Sequence, residues 1–326
     1  MSTFIQNREP EQVEQPQQAF CNSVVASLLA SPKTIASKWF YDARGSALFE
    51  QICRQPEYYP PRCEMEILRS HQQDIAALIG FDSTIIEPGS GSSSKIDLLL
   101  SATNARRYLA VDISPAALQS IEKRLRDAHP SLHIQTICAD YSNGLENLEN
   151  CLPARGRRLL FYPGSTLGNF DPWAAATFLR QWHRLLRVGD GLLLGIDLHK
   201  PASILEAAYN DKEGVTARFN LNLTERIRQA FNINIPGDAF THKAFYNEPS
   251  RRIEMHLQCR HALTLDLAGT CIKFAANETI HTENSYKYTP LVLKRLLNGS
   301  GFSPTAFWHD TRHWFGLCYA TVLPNP

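Results

Sequence analysis

The sequence predicts an α/β protein built on an open, doubly wound and mostly parallel sheet. Three observations carry that expectation. Short apolar runs in 84–88, 108–114, 133–141, 157–170 and 189–198 alternate with stretches of helical periodicity. These runs are apolar throughout rather than at every second position, which is the pattern of strands covered on both faces. The first run passes through a Gly/Ser-rich turn, EPGSGSSSK at 87–95, directly into a helix.

The elements follow in order. Helical spacing of apolar residues marks 23–29 and 38–52. The stretch 56–64, PEYYPPRCE, contains three prolines and reads as a loop. One amphipathic helix is expected over 64–79, through Met65, Leu68, Ile75 and Leu78. After the second strand, Ser114-Pro115 opens a helix with a serine cap and a proline at the first helical position. Leu118, Ile121 and Leu125 give that helix one apolar face. After the fourth strand, Asp171-Pro172 starts a helix carrying Phe178, Trp182 and Leu185. Beyond Lys200 the alternation stops. Residues 201–235 read as helical, 251–275 as a β-hairpin, and 290–297 as a helix ending at Asn298-Gly299. Two strands, 305–310 and 314–323, close the chain as an antiparallel pair.

A chain of 326 residues suggests two domains, or one with large insertions. Lys+Arg is 33 against Asp+Glu 32, so no basic groove runs over the whole molecule and no nucleic-acid partner is expected. The first twenty residues are polar and Gln-rich, without the basic start and apolar run of a signal peptide, and no apolar run could span a bilayer. A cytoplasmic protein without a membrane partner is expected. The eight cysteines show neither C-x-x-C nor zinc-site spacing, so free thiols and no metal are expected.

The turn after the first strand narrows the chemistry. Its glycines permit a sharp strand-to-helix turn and close approach of a ligand to the backbone. The third glycine that a dinucleotide pyrophosphate wants, near Ser94, is missing. The acidic Glu87 just before Gly89 points instead to S-adenosylmethionine (SAM). Asp112, 23 residues after Gly89 and ending the second strand, suits the ribose hydroxyls. Asp140, ending the third, suits the adenine amino group. The plainer reading of both aspartates is helix capping.

The runs at 39–68 (WFYDARGSALFEQICRQPEYYPPRCEMEIL), 87–95, 162–170 (YPGSTLGNF), 207–227 (AAYNDKEGVTARFNLNLTERI), 251–257 (RRIEMHL) and 281–288 (HTENSYKY) together resemble the histidine-specific SAM-dependent methyltransferases of ergothioneine biosynthesis (EgtD family). Pro88 and Pro163 stand where aliphatic residues are usual. The resemblance implies a class I SAM-methyltransferase, a Rossmann-like sheet with terminal antiparallel strands. It also implies a smaller discontinuous α+β domain that binds substrate. The boundaries would be 61–198 with 284–326 for the first, and 1–60 with 199–283 for the second, with the substrate between them. It implies three SN2 transfers from SAM to the α-amine of free L-histidine, giving hercynine, by a monomer.

The same resemblance assigns residues. Asn169 and Tyr209 hold the substrate carboxylate, Gly164 lies close to the α-amine, and Tyr41 orients it. Glu283, Ser285 and Tyr58 surround the imidazole, and Phe49 and Met255 wall it. Gly89, Lys95, Asp112, Asp140 and Tyr141 serve the cofactor. Each has a plainer role open to it: packing for Tyr58, Tyr209 and Met255, capping for Asn169, a solvated face for Glu283. Rival functions are an α-N-methyltransferase of another aromatic amino acid such as tryptophan, a SAM-binding regulator without turnover, and a nicotinamide-dependent oxidoreductase.

Overall fold

The structure, a computed structural model, describes residues 16–91, 95–141, 145, 148–153 and 155–324. Ser94 lies outside them. The chain divides into two compact units. Among the described residues, one holds 60–199 with 287–324 and the other 16–59 with 200–286.

The second unit opens with α1 (Pro16–Leu29) and α2 (Ala43–Arg54). Asp42 caps α2 by accepting the Gly45 N–H at 2.6 Å. Gly45 is required there, since a Cβ would sit 1.7 Å from the Phe40 carbonyl oxygen.

The first unit starts with α3 (Pro60–Ser70) and α4 (Gln72–Ile79). The single helix expected over 64–79 is therefore two, bent at His71. The expected loop is shorter, because prolines at 60 and 61 fit a first helical turn, where no N–H is needed. The sheet follows: β1 (Thr84–Pro88), α5 (Lys95–Thr103), β2 (Arg107–Asp112), α6 (Pro115–Ala128), β3 (His133–Cys138), β4 (Arg158–Tyr162), α7 (Pro172–Leu185) and β5 (Gly191–Asp197). β1 to β5 are parallel, and every residue of β1, β4 and β5 is buried. Ser114 and Asp171 cap α6 and α7, each with proline at the start.

Two expected strands are shorter than the sequence suggests. β3 stops at Cys138, so Asp140 and Tyr141 lie in the turn beyond it. β4 stops at Tyr162 because Gly164 (φ +75°) and Ser165 (φ +59°) turn the backbone left-handed ahead of a short 3-10 turn, Thr166–Asn169.

The chain then leaves for the second unit. That unit continues with α8 (Ala202–Tyr209) and α9 (Val215–Phe231), separated at Asn210 and capped anew by Asp211, which accepts the Val215 and Thr216 N–H groups. Next come β6 (Phe240–Asn247), β7 (Arg252–Cys259), β8 (Leu263–Leu267), β9 (Thr270–Phe274) and β10 (Thr279–Tyr286). The expected 251–275 hairpin is corrected: its first arm divides at Cys259. β7 becomes the centre of an antiparallel sheet ordered β10-β7-β6, and β8 and β9 form a separate two-stranded ribbon.

Back in the first unit, α10 (Pro290–Asn298) precedes β11 (Phe302–His309) and β12 (Phe315–Val322). The sheet order is β11-β12-β5-β4-β1-β2-β3, with β12 antiparallel to β5 and β11 antiparallel to β12. The points where the chain departs and returns are fastened to each other. His199 N–H donates to Tyr288 O at 2.9 Å and Tyr288 N–H to Asp197 O at 3.0 Å. The buried Lys287 ammonium lies 2.8 Å from Asp197. None of the eight cysteines is in a disulfide. No described helix is long and apolar enough to cross a membrane.

Candidate functional site

In the first unit the candidates gather at the carboxyl ends of the parallel strands. Gly89 (φ +69°) follows β1, donates to Val111 O at 2.7 Å, and has no room for a side chain. A Cβ there would meet the Tyr141 hydroxyl at 2.8 Å. Asp112 at the end of β2 accepts the Gly91 N–H at 3.1 Å through one oxygen and the Ser114 N–H at 2.9 Å through the other. Burial pushes its carboxyl up, and those backbone donors pull it back. Capping of α6 falls to Ser114, whose Oγ accepts the Ala117 N–H, so Asp112 instead ties the glycine turn to β2. Burial, with the charge of Asp112 next, pushes the Tyr141 phenol well up, and Asp140 adds to this.

Glu87 lies beneath the turn, fully buried, accepting the Tyr108 hydroxyl at 2.6 Å. Burial raises its acid to about 8, against the Tyr108 hydrogen bond and the Lys95 charge. Its other oxygen, Oε1, has no hydrogen-bond partner.

The turn after β4 carries Gly164 and Asn169. Ser165 Oγ accepts the Asp197 N–H at 2.9 Å, holding a non-glycine residue in the left-handed region. Such conformations cost on the order of 1–3 kcal/mol and persist only where neighbours fix them. Capping of α7 is done by Asp171, so that role does not fall to Asn169.

A residue the sequence analysis missed stands behind this turn. Glu64 on α3 is 0% exposed. Both its oxygens accept the Gly164 N–H at 3.0 Å, and the Lys95 ammonium lies 2.5 Å from Oε2. The only hint in the sequence is a carboxylate on what became a buried helix face.

The second unit assembles the other candidates. Rings touch in series, edge to face: Tyr41 on Phe49 (centroids 5.6 Å), Phe49 on Tyr58 (6.4 Å) and Tyr58 on Tyr209 (6.1 Å). Phe219 on α9, also missed, backs Tyr41 at 5.8 Å and Phe49 at 6.1 Å. Its position in a helical apolar stripe looks like ordinary core. Burial pushes the Tyr58 phenol well up, reinforced by Tyr209, Cys53, Glu283 and Tyr41, so these groups share one neighbourhood.

Glu283 reaches its face of the sheet through a bulge. His281 pairs with His256, but Glu283 pairs with Met255, leaving Thr282 as an extra residue. Directly paired residues lie on one face. Glu283, Met255 and Ala244 therefore share a face with Ser285, Ile253 and Tyr246, whereas His281 and His256 point to the other. Thr282 is anchored: its hydroxyl lies 2.8 Å from Asn220 Oδ1 and 3.0 Å from Met255 O. The Asn220 amide NH2 donates to His256 O and to His242 Nδ1, and His242 Nε2–H donates to Tyr209 O. Burial lowers the His242 pKa, which keeps the ring neutral and suits this tautomer.

On the opposite face, Glu254, His256 and His281 place ligand-type atoms within 4.8 Å of one another. The imidazoles are stacked at 4.6 Å, and Glu254 is shared with the Arg252 guanidinium at 2.6 Å, a cation already in place.

A sheet of this order, with the glycine turn after β1 and a carboxylate ending β2, is that of a SAM-dependent methyltransferase of class I. The donor set suits SAM: Gly89 leaves a cradle that a Cβ would fill, Asp112 offers carboxylate oxygens for ribose, and Lys95 offers a cation for a carboxylate. The chain belongs to the SAM-dependent histidine-specific methyltransferases, whose family profile matches residues 20–322. It is 39% identical over 309 residues to a histidine N-alpha-methyltransferase of Mycolicibacterium smegmatis, covering 93% of this chain and 95% of that one. It is 27% identical to ergothioneine biosynthesis protein 1 of Schizosaccharomyces pombe over 85% of this chain and 37% of that protein. It is 25% identical to a 4-dimethylallyltryptophan N-methyltransferase of Aspergillus fumigatus, over 88% and 89% of the two chains.

Proposed function

We propose that the protein methylates the α-amine of free L-histidine three times, producing hercynine for ergothioneine biosynthesis. The observation that carries this reading is the grouping of Glu283 with Tyr41, Tyr58 and Tyr209: one carboxylate and three phenols in a wall of aromatic rings.

SAM, when bound, supplies the electrophilic methyl group. Asp112 accepts its ribose hydroxyls and Asp140 its adenine amino group. Lys95 is the counter-charge for its carboxylate, and Gly89 and Tyr141 shape the turn. Asn169 and Tyr209 donate to the histidine carboxylate. Glu283 accepts an imidazole N–H, a charge-assisted bond worth about 1.5–3 kcal/mol. Tyr58, its phenol kept protonated, and Ser285 complete the ring's polar contacts, while Phe49 and Met255 bound it.

The amine must present a neutral lone pair in line with the S–CH3 bond, so positioning by Tyr41 and the Gly164 backbone supplies most of the rate. Each pKa unit by which the amine must be deprotonated costs about 1.4 kcal/mol. That proton would pass to solvent before transfer, and the positive charge of bound SAM would favour its loss, so no strong base is required. The reading extends to a monomer working in the cytoplasm, checked by light scattering and fractionation.

Incubation with SAM and either histidine or tryptophan, followed by mass spectrometry, tests the substrate. A histidine product heavier by three methyl groups is expected; product from tryptophan alone sinks the reading.

A further inference from the structure

We infer that Glu64 is a positioning residue for methyl transfer, a single buried carboxylate that holds the Gly164 peptide and the Lys95 ammonium in one arrangement. The inference rests on the reading that Gly164 borders the α-amine and Lys95 serves the cofactor.

Three features of the first unit converge on Glu64. It is fully buried on α3, and its two oxygens straddle the Gly164 N–H, each at 3.0 Å. Lys95, the first residue of α5, lies 2.5 Å from Oε2. A Cβ built on Gly164 would meet the Lys95 ammonium at 3.7 Å, so carboxylate, ammonium and peptide form one cluster.

The third feature is a hole in the sheet. Gly195 sits inside β5, where all seven residues are buried and a glycine forfeits packing. A Cβ at Gly195 would lie 2.0 Å from Glu64 Oε1 and 3.2 Å from Gly164 N. The strand leaves that space to the carboxylate. Ser165, which is not a glycine, is left-handed there, so the turn does not hold its shape by local preference alone. Glu64 fixes it from one side and the Asp197 N–H, through Ser165 Oγ, from the other.

Glu64 touches no reacting atom in this scheme. Its effect passes through Gly164, which sets the amine, and through Lys95, which sets the donor. Misplacement by about an ångström can cost about 100-fold in rate.

The test compares wild type with Glu64→Gln, which keeps the size and one acceptor oxygen but loses the charge. At saturating SAM and histidine, kcat is expected to fall about 30- to 100-fold, with KM for histidine within about threefold and a near-native melting temperature. Unchanged kcat overturns the inference. So does a parallel fall of kcat, histidine affinity and melting temperature, the mark of a merely structural role. Gly195→Ala, if it folds, should reproduce the kcat loss by displacing the carboxylate; a Gly195→Ala enzyme of full activity also overturns it.

A second measurement needs no substrate. In a cycle of Glu64→Gln and Lys95→Met, S-adenosylhomocysteine affinity is read by calorimetry. The double variant should bind no more weakly than Lys95→Met alone, because Glu64 acts through Lys95. Additive losses overturn that arm. If the wild type makes no methylated histidine, the substrate reading fails by itself, and this cycle still decides Glu64.

Discussion

At the scale of single residues, Glu87 and Glu283 are both carboxylates near a tyrosine phenol, yet their proposed roles diverge. Glu87 is fully buried under the glycine turn with its acid raised to about 8, against an ordinary 4.5. Between those values the folded protein holds a proton that the unfolded chain has released. Its contribution to stability is therefore complete below pH 4.5 and disappears as pH rises through about 8. The melting temperature is expected to fall from pH 5 to pH 8.5, and Glu87→Gln should flatten that slope; an identical slope in the variant removes Glu87 as its source. In the proposed reading Glu283 instead bears on the substrate. Glu283→Ala is expected to weaken histidine binding at least about tenfold, the loss of a charge-assisted hydrogen bond, while S-adenosylhomocysteine binding stays within about twofold. Equal loss of both, measured by calorimetry, contradicts the role. Glu87, Asp112 and Glu283 were legible because acidic residues at strand ends or within a family motif stand out. Glu64 was not, since its meaning comes from a missing side chain at Gly195, more than a hundred residues away in sequence.

At the scale of elements, the bulge in β10 governs which side chains share a face. Without Thr282 as an extra residue, strict alternation would put Glu283 on the same face as His281. Asn220 on α9 holds that bulge and, through His242, the carbonyl of Tyr209. Thr282→Val keeps the shape but removes the hydroxyl, leaving Asn220 Oδ1 buried with one donor fewer. The expected cost is about 1–3 kcal/mol of stability, from urea unfolding, with KM for histidine raised severalfold and cofactor affinity unchanged. Unaltered KM separates the bulge from substrate binding. β1, β2, β4 and β5 were readable because a short, continuously apolar run between turn signals fits a strand covered on both faces and little else. β6 and β10 were not, because their half-buried residues follow no clean alternation, and β10 breaks its own period at the bulge. The helix break at His71 was also hidden, since apolar spacing continues across it.

At the scale of the whole molecule, the near-equality of 33 basic and 32 acidic residues fits a zwitterionic substrate recognised by short-range hydrogen bonds. Raising ionic strength from about 0.05 to about 0.5 M should change kcat/KM for histidine by less than about twofold, since no long-range field steers its approach. A steep salt dependence in steady-state kinetics contradicts this. The parallel character of the sheet was visible from apolar runs alternating with helical stretches, but the strand order was not, and no periodicity could tell that the chain leaves and returns at neighbouring points. The clasp made by Asp197, His199, Lys287 and Tyr288 has an evolutionary consequence. Closing a loop costs free energy that grows only with the logarithm of its length, so the sheet is nearly indifferent to how much chain lies beyond the clasp. If, as proposed, that segment holds the substrate side chains and the sheet holds the donor, it can lengthen, shorten and change its residues while the glycine turn stays the same, so substrate choice becomes the easily inherited variable and methyl donation the constant one.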